Sequence, residues 1–130
     1  MSGHWFAIGA FLAGLGVLAG AFGAHGLKDQ LSPEMMDIYR TAASYHLIHA
    51  IGILAVAFAA DRWPGRLVQS GGALLTLGIL VFSGSLYALS LTEIKILGAI
   101  TPFGGVALVA GWFCLGAAAL RCAPARRGGR

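Results

Sequence analysis

The sequence predicts an all-α fold: an integral membrane four-helix bundle, up-down-up-down, with both termini in the cytoplasm. Three observations carry this. Hydrophobic residues make up 58% of the 130-residue chain and charged residues 11%, against about 25% charged in soluble domains; a chain this short cannot hide that much apolar surface from water. The apolar residues fall into four runs, 5–24, 42–60, 67–91 and 96–120, none of which holds Asp, Glu, Lys or Arg. Each is close to or above the ~20 residues that cross ~30 Å of hydrocarbon as a helix, and in lipid only a helix satisfies its own backbone within one segment. Finally, Arg62, Arg66, Arg121, Arg126, Arg127 and Arg130 lie beside one set of helix ends and Lys28, Arg40 and Lys95 beside the other, six against three. That asymmetry places both termini inside.

The first run carries Gly9, Ala13, Gly16, Gly20 and Gly23 at spacings of 4, 3, 4 and 3, one stripe along a helix. Small residues let membrane helices approach closely enough for van der Waals contact to hold them. A cleavable leader does not need such a stripe, and this run lacks a basic segment before it; the expectation is a retained span over 5–25. In the first loop, Ser32 reads as an N-cap, Pro33 as the first helical residue and Glu34 as a first-turn acid. The second helix therefore starts outside the apolar core and continues into a span over 42–60. The third span is 67–91. Thr92 is placed to cap one interfacial turn, and Thr101-Pro102 reads as a fresh start, giving a fourth span over 101–120. Residues 1–120 form one transmembrane domain; 121–130, with Pro, Gly and Arg and no apolar pattern, reads as a basic disordered tail on anionic headgroups.

Polar residues inside a membrane are expensive and raise a functional question by default. Here they gather at one end: His25 closes helix one; Tyr39, Tyr45, His46 and His49 lie early in helix two; Ser83, Ser85, Tyr87 and Ser90 lie late in helix three; Thr101 opens helix four. With the termini inside, all fall in the outer half of the bilayer. Met35, Tyr39, Ala42, His46 and His49 recur at helical spacing, as do Ser83, Tyr87 and Ser90, so each set shares a face. The expectation is a polar outer chamber above an apolar, glycine-packed inner half, with His25, His46 and His49 converging near a tyrosine. Three readings fit: the groups bond one another and fix helix register; they line a pocket for a lipid headgroup, quinone or similar amphiphile; or the three histidines hold a metal or haem. No carboxylate or cysteine lies among them to favour a metal, so no metal or other cofactor is assigned.

Catalytic patterns are missing. The chain has no GxSxG, HExxH or phosphate-binding glycine loop, and the acids nearest the histidines, Asp29, Glu34 and Asp37, sit in the first loop. No catalytic residue is assigned, and a non-enzymatic accessory or assembly role is expected, with an outer-facing binding site as the alternative. Cys114 and Cys122 match no metal spacing. The net charge of +4 forms no basic stripe among aromatics, so nucleic acid is not expected; the expected partners are the lipid bilayer and another membrane protein or a second copy.

Gly20-Ala-Phe-Gly-Ala-His-Gly-Leu-Lys28, Thr41-Ala-Ala-Ser-Tyr-His-Leu-Ile-His-Ala50, Phe82-Ser-Gly-Ser-Leu-Tyr87 and Leu97-Gly-Ala-Ile-Thr-Pro-Phe-Gly-Gly105 with Gly111-Trp112 resemble the YgdD-like family of small membrane proteins, domain of unknown function 423. The likeness runs in order from about Phe6 to Leu120; Gly26 departs from it, where alanine is the usual residue. It implies a multi-pass protein of the bacterial inner membrane with four helices, and it implies no reaction.

Overall fold

A computed structural model describes residues 2–122, and over these the chain is helical with no strand. The helices are α1 (Ser2–His25), α2 (Pro33–Arg62), α3 (Arg66–Thr92) and α4 (Thr101–Cys122), with a 3-10 turn at Lys95–Ala99 leading into the last. All four are long and apolar enough to cross a membrane. Of the tail expected over 121–130, Arg121 and Cys122 are the last turn of α4, and 123–130 lie outside the described residues.

Local signals set the helix ends. The Ser32 hydroxyl accepts from the Met35 amide at 3.3 Å, and Pro33 opens α2. The thirty residues of α2 span about 45 Å at 1.5 Å per residue, longer than a hydrocarbon core. The loop after α1 folds back over its first turns: Leu27 packs on Met36 and Tyr39. Glu93, in the left-handed conformation (φ 58°), ends α3. Thr92 accepts from the Ile94 amide at 3.4 Å, but the cap position of the 3-10 turn is Ile94 and no side chain caps it.

The pairwise packing is built on glycine. Along α1, a side chain at Gly9 would meet Leu54 and Ala50, one at Gly16 would meet Leu47 and His46, and one at Gly23 would meet Tyr39. Going up α1 thus means going down α2. Gly20 faces open space, so the close contact uses every seventh residue, Gly9, Gly16 and Gly23, rather than the whole small-residue stripe. Against α4, α3 packs in the same way: Gly71 meets Leu115, Gly78 meets Leu108 and Gly111 meets Leu75. Ile53, Val56, Val68, Leu75, Ile79 and Leu108 fill the centre, with Trp5 and Ile8 of α1 against them.

One element is not a plain α-helix. Over Ile79–Ser83 α3 makes a π-helical turn, which inserts one residue into the helical register. Before the turn the fully buried line is Val68 and Leu75; after it the line is Ser83 and Ser90. The spacing runs 7, 8, 7. The extra residue turns serines, rather than Phe82, toward the centre. Gly104 of α4 makes room for the widened backbone: a Cβ there would lie 2.7 Å from the Phe82 Cα.

Candidate functional site

Helix α2 lays its predicted face inward: Met35, Tyr39, Ala42, His46 and His49 are all buried. Each polar group on that face makes its own hydrogen bond. The Tyr39 ring lies over Gly23, where no side chain stands in its way, and its hydroxyl donates to the Ala19 carbonyl of α1. Tyr39 also meets Tyr87 of α3 edge-on, ring centroids 5.2 Å apart. The His46 Nδ1 and the Tyr87 hydroxyl lie 3.0 Å apart. Below them the Ser83 hydroxyl donates to the Ala42 carbonyl at 2.8 Å, a buried bond from α3 to α2. Ser85 and Thr101 share a 2.6 Å hydroxyl contact that ties α3 to α4, and the Ser90 hydroxyl bonds the Tyr87 carbonyl.

The three histidines do not converge. His25 is exposed at the end of α1. His46 stands opposite Gly16, nine residues below His25 along α1, a rise of roughly 13 Å. The two are at different depths because His46 lies thirteen residues, about 20 Å, below the start of α2, and α2 does not rise that far past the end of α1. His46 and His49 also look in different directions. His46 faces α1 and α3, whereas His49 lies beside Trp112 of α4, centroids 6.1 Å apart. The His49 Nδ1–H donates to the Tyr45 carbonyl at 2.6 Å, and its ring stacks on that of Tyr45, which is itself half-exposed and packs on Phe82. Among the described residues no three His, Cys, Asp or Glu side chains are grouped to hold a metal ion.

The stretch 20–27 around His25 serves packing: Gly23 admits the Tyr39 ring and Leu27 covers it.

One polar atom in this region stays unsatisfied. His46 is 7% exposed, and its Nε2 is buried without a hydrogen-bond partner. Beside the ring is a cavity of about 170 Å³ lined by Leu12, Leu15, His46, Ile79, Leu80, Ser83, Gly84 and Tyr87. It is a crevice between α1 and α3. The two helices are fastened at the far end, where the Trp5 indole donates to Gln69 at 2.9 Å and lies over Gly72. The π-helical turn forms one wall. Sequence reasoning reached His46, Ser83 and Tyr87 but did not single out Leu12, Leu15, Ile79, Leu80 or Gly84; Gly84, set between two serines, was the one available hint.

Comparison with known proteins places the chain among membrane proteins. The family model described as protein of unknown function (DUF423) matches residues 19–105. The chain belongs to the DUF423 family. It is 47% identical over 115 residues to UPF0382 membrane protein YwdK of Bacillus subtilis, covering 88% of this chain and 94% of the relative. A UPF0382 membrane protein of Staphylococcus epidermidis is 46% identical over 116 residues, 89% of this chain and 94% of the relative. One from Staphylococcus aureus is 41% identical over 108 residues, 83% and 88%. No solved structure matches. This chain is a multi-pass membrane protein of that family. The DUF423 match spans the 20–27 stretch, the α2 face and the π-helical turn, and so covers all of the polar region except its deepest apolar wall on α1.

Proposed function

We propose that this DUF423 protein is a non-enzymatic accessory or assembly protein of the bacterial cytoplasmic membrane, an up-down-up-down bundle with both termini in the cytoplasm. The observation that carries the non-enzymatic reading is the state of the buried polar groups. Tyr39, His46, His49, Ser83, Ser85 and Tyr87 are already engaged with helix backbones or with one another. A general base needs a free lone pair aimed at substrate and an orienting partner, and among the described residues no carboxylate bonds a histidine. The reversed order of contacts between α1 and α2, and between α3 and α4, supports the up-down arrangement, and the Arg-rich ends support the orientation. Purification of the tagged chain in mild detergent tests the role. A membrane protein recovered in stoichiometric amount is the expected result; a lone monodisperse chain contradicts it.

A second reading has one specific observation in its favour. The unpartnered Nε2 of His46 beside a cavity supports an outer-half binding site for an amphiphile such as a lipid or quinone. Mass analysis of small molecules carried through purification tests that reading.

A further inference from the structure

The tautomer of His46 follows from counting protons. The Tyr87 hydroxyl has one recorded partner, the His46 Nδ1. Were Nδ1 protonated and donating, the half-buried phenol proton would lack an acceptor and the buried Nε2 would lack a donor: two unmet groups. With the hydroxyl donating to Nδ1, the proton sits on Nε2 and a single N–H goes unmet. Since each unmet buried polar group is costly, the second arrangement prevails. Nε2–H is then a donor in want of an acceptor. The ring approaches the Leu12 backbone of α1, but Nε2 makes no hydrogen bond.

The crevice beside it says what sort of acceptor fits. Its volume, about 170 Å³, is close to the ~150 Å³ apolar cavity that takes up benzene, which is room for one six-membered ring. Leu12, Leu15, Ile79 and Leu80 make most of the wall, and His46 of α2 with Ser83 and Tyr87 of α3 are the polar residues beside it. No charged residue lines it, so an ionised headgroup finds no partner. Leu15 and Leu80 are both more than half exposed, so the mouth opens sideways, toward lipid in a spanning bundle. His46 lies 16 residues from Arg62, about 24 Å up the helix, in the outer part of the hydrocarbon. Nε2 itself is covered, so a ligand reaches it only if a neighbouring helix gives way, and α1 supplies Leu12 and Leu15 to the crevice. That helix is the least enclosed of the four, with 17% of its apolar window buried against 50% for α2.

Building on the binding-site reading, we propose that the crevice between α1 and α3 binds an uncharged, membrane-soluble ring carbonyl compound, of which a quinone head is the type, with its carbonyl accepting from the His46 Nε2–H. The ring fills the apolar volume, and an alkyl or isoprenoid tail leaves between Leu15 and Leu80 into the bilayer.

The test is a titration of the full chain, labelled with ¹⁵N-histidine and held in lipid nanodiscs. The probe is a fully ring-substituted decyl benzoquinone, which cannot add the thiols of Cys114 and Cys122; decylbenzene, with no carbonyl, is the comparison. The expected result is a saturable shift of the His46 Nε2–H resonance, with the quinone bound at least about tenfold more tightly than decylbenzene, a difference of ~1.4 kcal/mol. Location is tested at Gly84, where a Cβ meets nothing within 4 Å. Gly84→Leu fills the crevice without disturbing the polar cluster; it should leave thermal melting unchanged and weaken the quinone at least tenfold. Equal binding of the two probes, or full affinity in Gly84→Leu, overturns the proposal. If the quinone fails while the purified chain retains some other amphiphile, this inference falls and the binding-site reading stands. If nothing binds and nothing is retained, both fall.

Discussion

At the level of single residues, glycines and histidines that look alike in sequence have opposite standing in the structure. Gly23 has the Tyr39 ring against it, whereas Gly20, three residues earlier, has nothing within 4 Å. Gly23→Ala therefore forces the Tyr39 ring off α1 and breaks its bond to the Ala19 carbonyl; overpacking of this kind costs about 1–3 kcal/mol. Gly20→Ala adds a methyl in open space and removes a flexible helix residue, so it should be neutral or slightly stabilising. Thermal melting of the two variants in one detergent checks the contrast, and equal melting would contradict the seven-residue seam. The histidines divide likewise. His25 makes no side-chain hydrogen bond among the described residues, so His25→Ala should leave melting unchanged. Ser83→Ala should lower stability by roughly 0.6 kcal/mol, the mean for interhelical bonds in membranes, because its bond to Ala42 is fully buried. The inward face of α2 was legible, since burial at 3.6-residue spacing is a property of one helix alone. The meeting of His25 with His46 was not. It depended on how far α2 rises past the end of α1, which the Leu27 loop decides through tertiary contact.

At the level of elements, the π-helical turn governs the site. It moves the buried line of α3 from Val68 and Leu75 to Ser83 and Ser90, and so aims serines at α2 and Tyr87 at His46. Gly104 leaves space for it, and the atoms a Cβ would strike there are backbone atoms of Phe82, which cannot swing aside as a side chain can. Gly104→Ala should accordingly separate α4 from α3 or drive the turn back to α-helical register. Either way stability should fall by about 1–3 kcal/mol, and the Tyr87–His46 contact should be lost, seen as a change in the histidine ring resonances. Unaltered resonances in a stable Gly104→Ala chain would show that the turn does not depend on that glycine. Helix ends, by contrast, were legible in the sequence. Ser32-Pro33 and Thr101-Pro102 mark starts because proline and capping side chains act within one turn. Nothing comparable announces a π-helical turn: residues 79–83 read Ile-Leu-Val-Phe-Ser, ordinary apolar helix, and the one-residue shift is visible only once the neighbours that bury Ser83 are in place.

For the molecule as a whole, an apolar end held by Trp5, Gln69 and the tight glycine contacts of α3 and α4 is joined to an end where tyrosines, serines and His46 tie the helices together. The four runs without a charge made the spans legible, because the cost of burying charge in lipid filters composition strongly. The residues expected to line a polar chamber bond mostly to helix backbones, and to one another only at His46–Tyr87 and Ser85–Thr101, beside one ring-sized crevice, since whether polar groups meet each other or a void depends on side-chain direction and not on spacing. The account rests on the polar end facing outward across four spans. Single cysteines at Lys28, Gly65 and Lys95, in a chain with Cys114→Ala and Cys122→Ala, probed on intact cells with a membrane-impermeant maleimide, test this most directly. Labelling at Lys28→Cys and Lys95→Cys, with Gly65→Cys labelled only after the membrane is opened, is the result predicted. Labelling of Gly65→Cys in intact cells, with the other two protected, would contradict it.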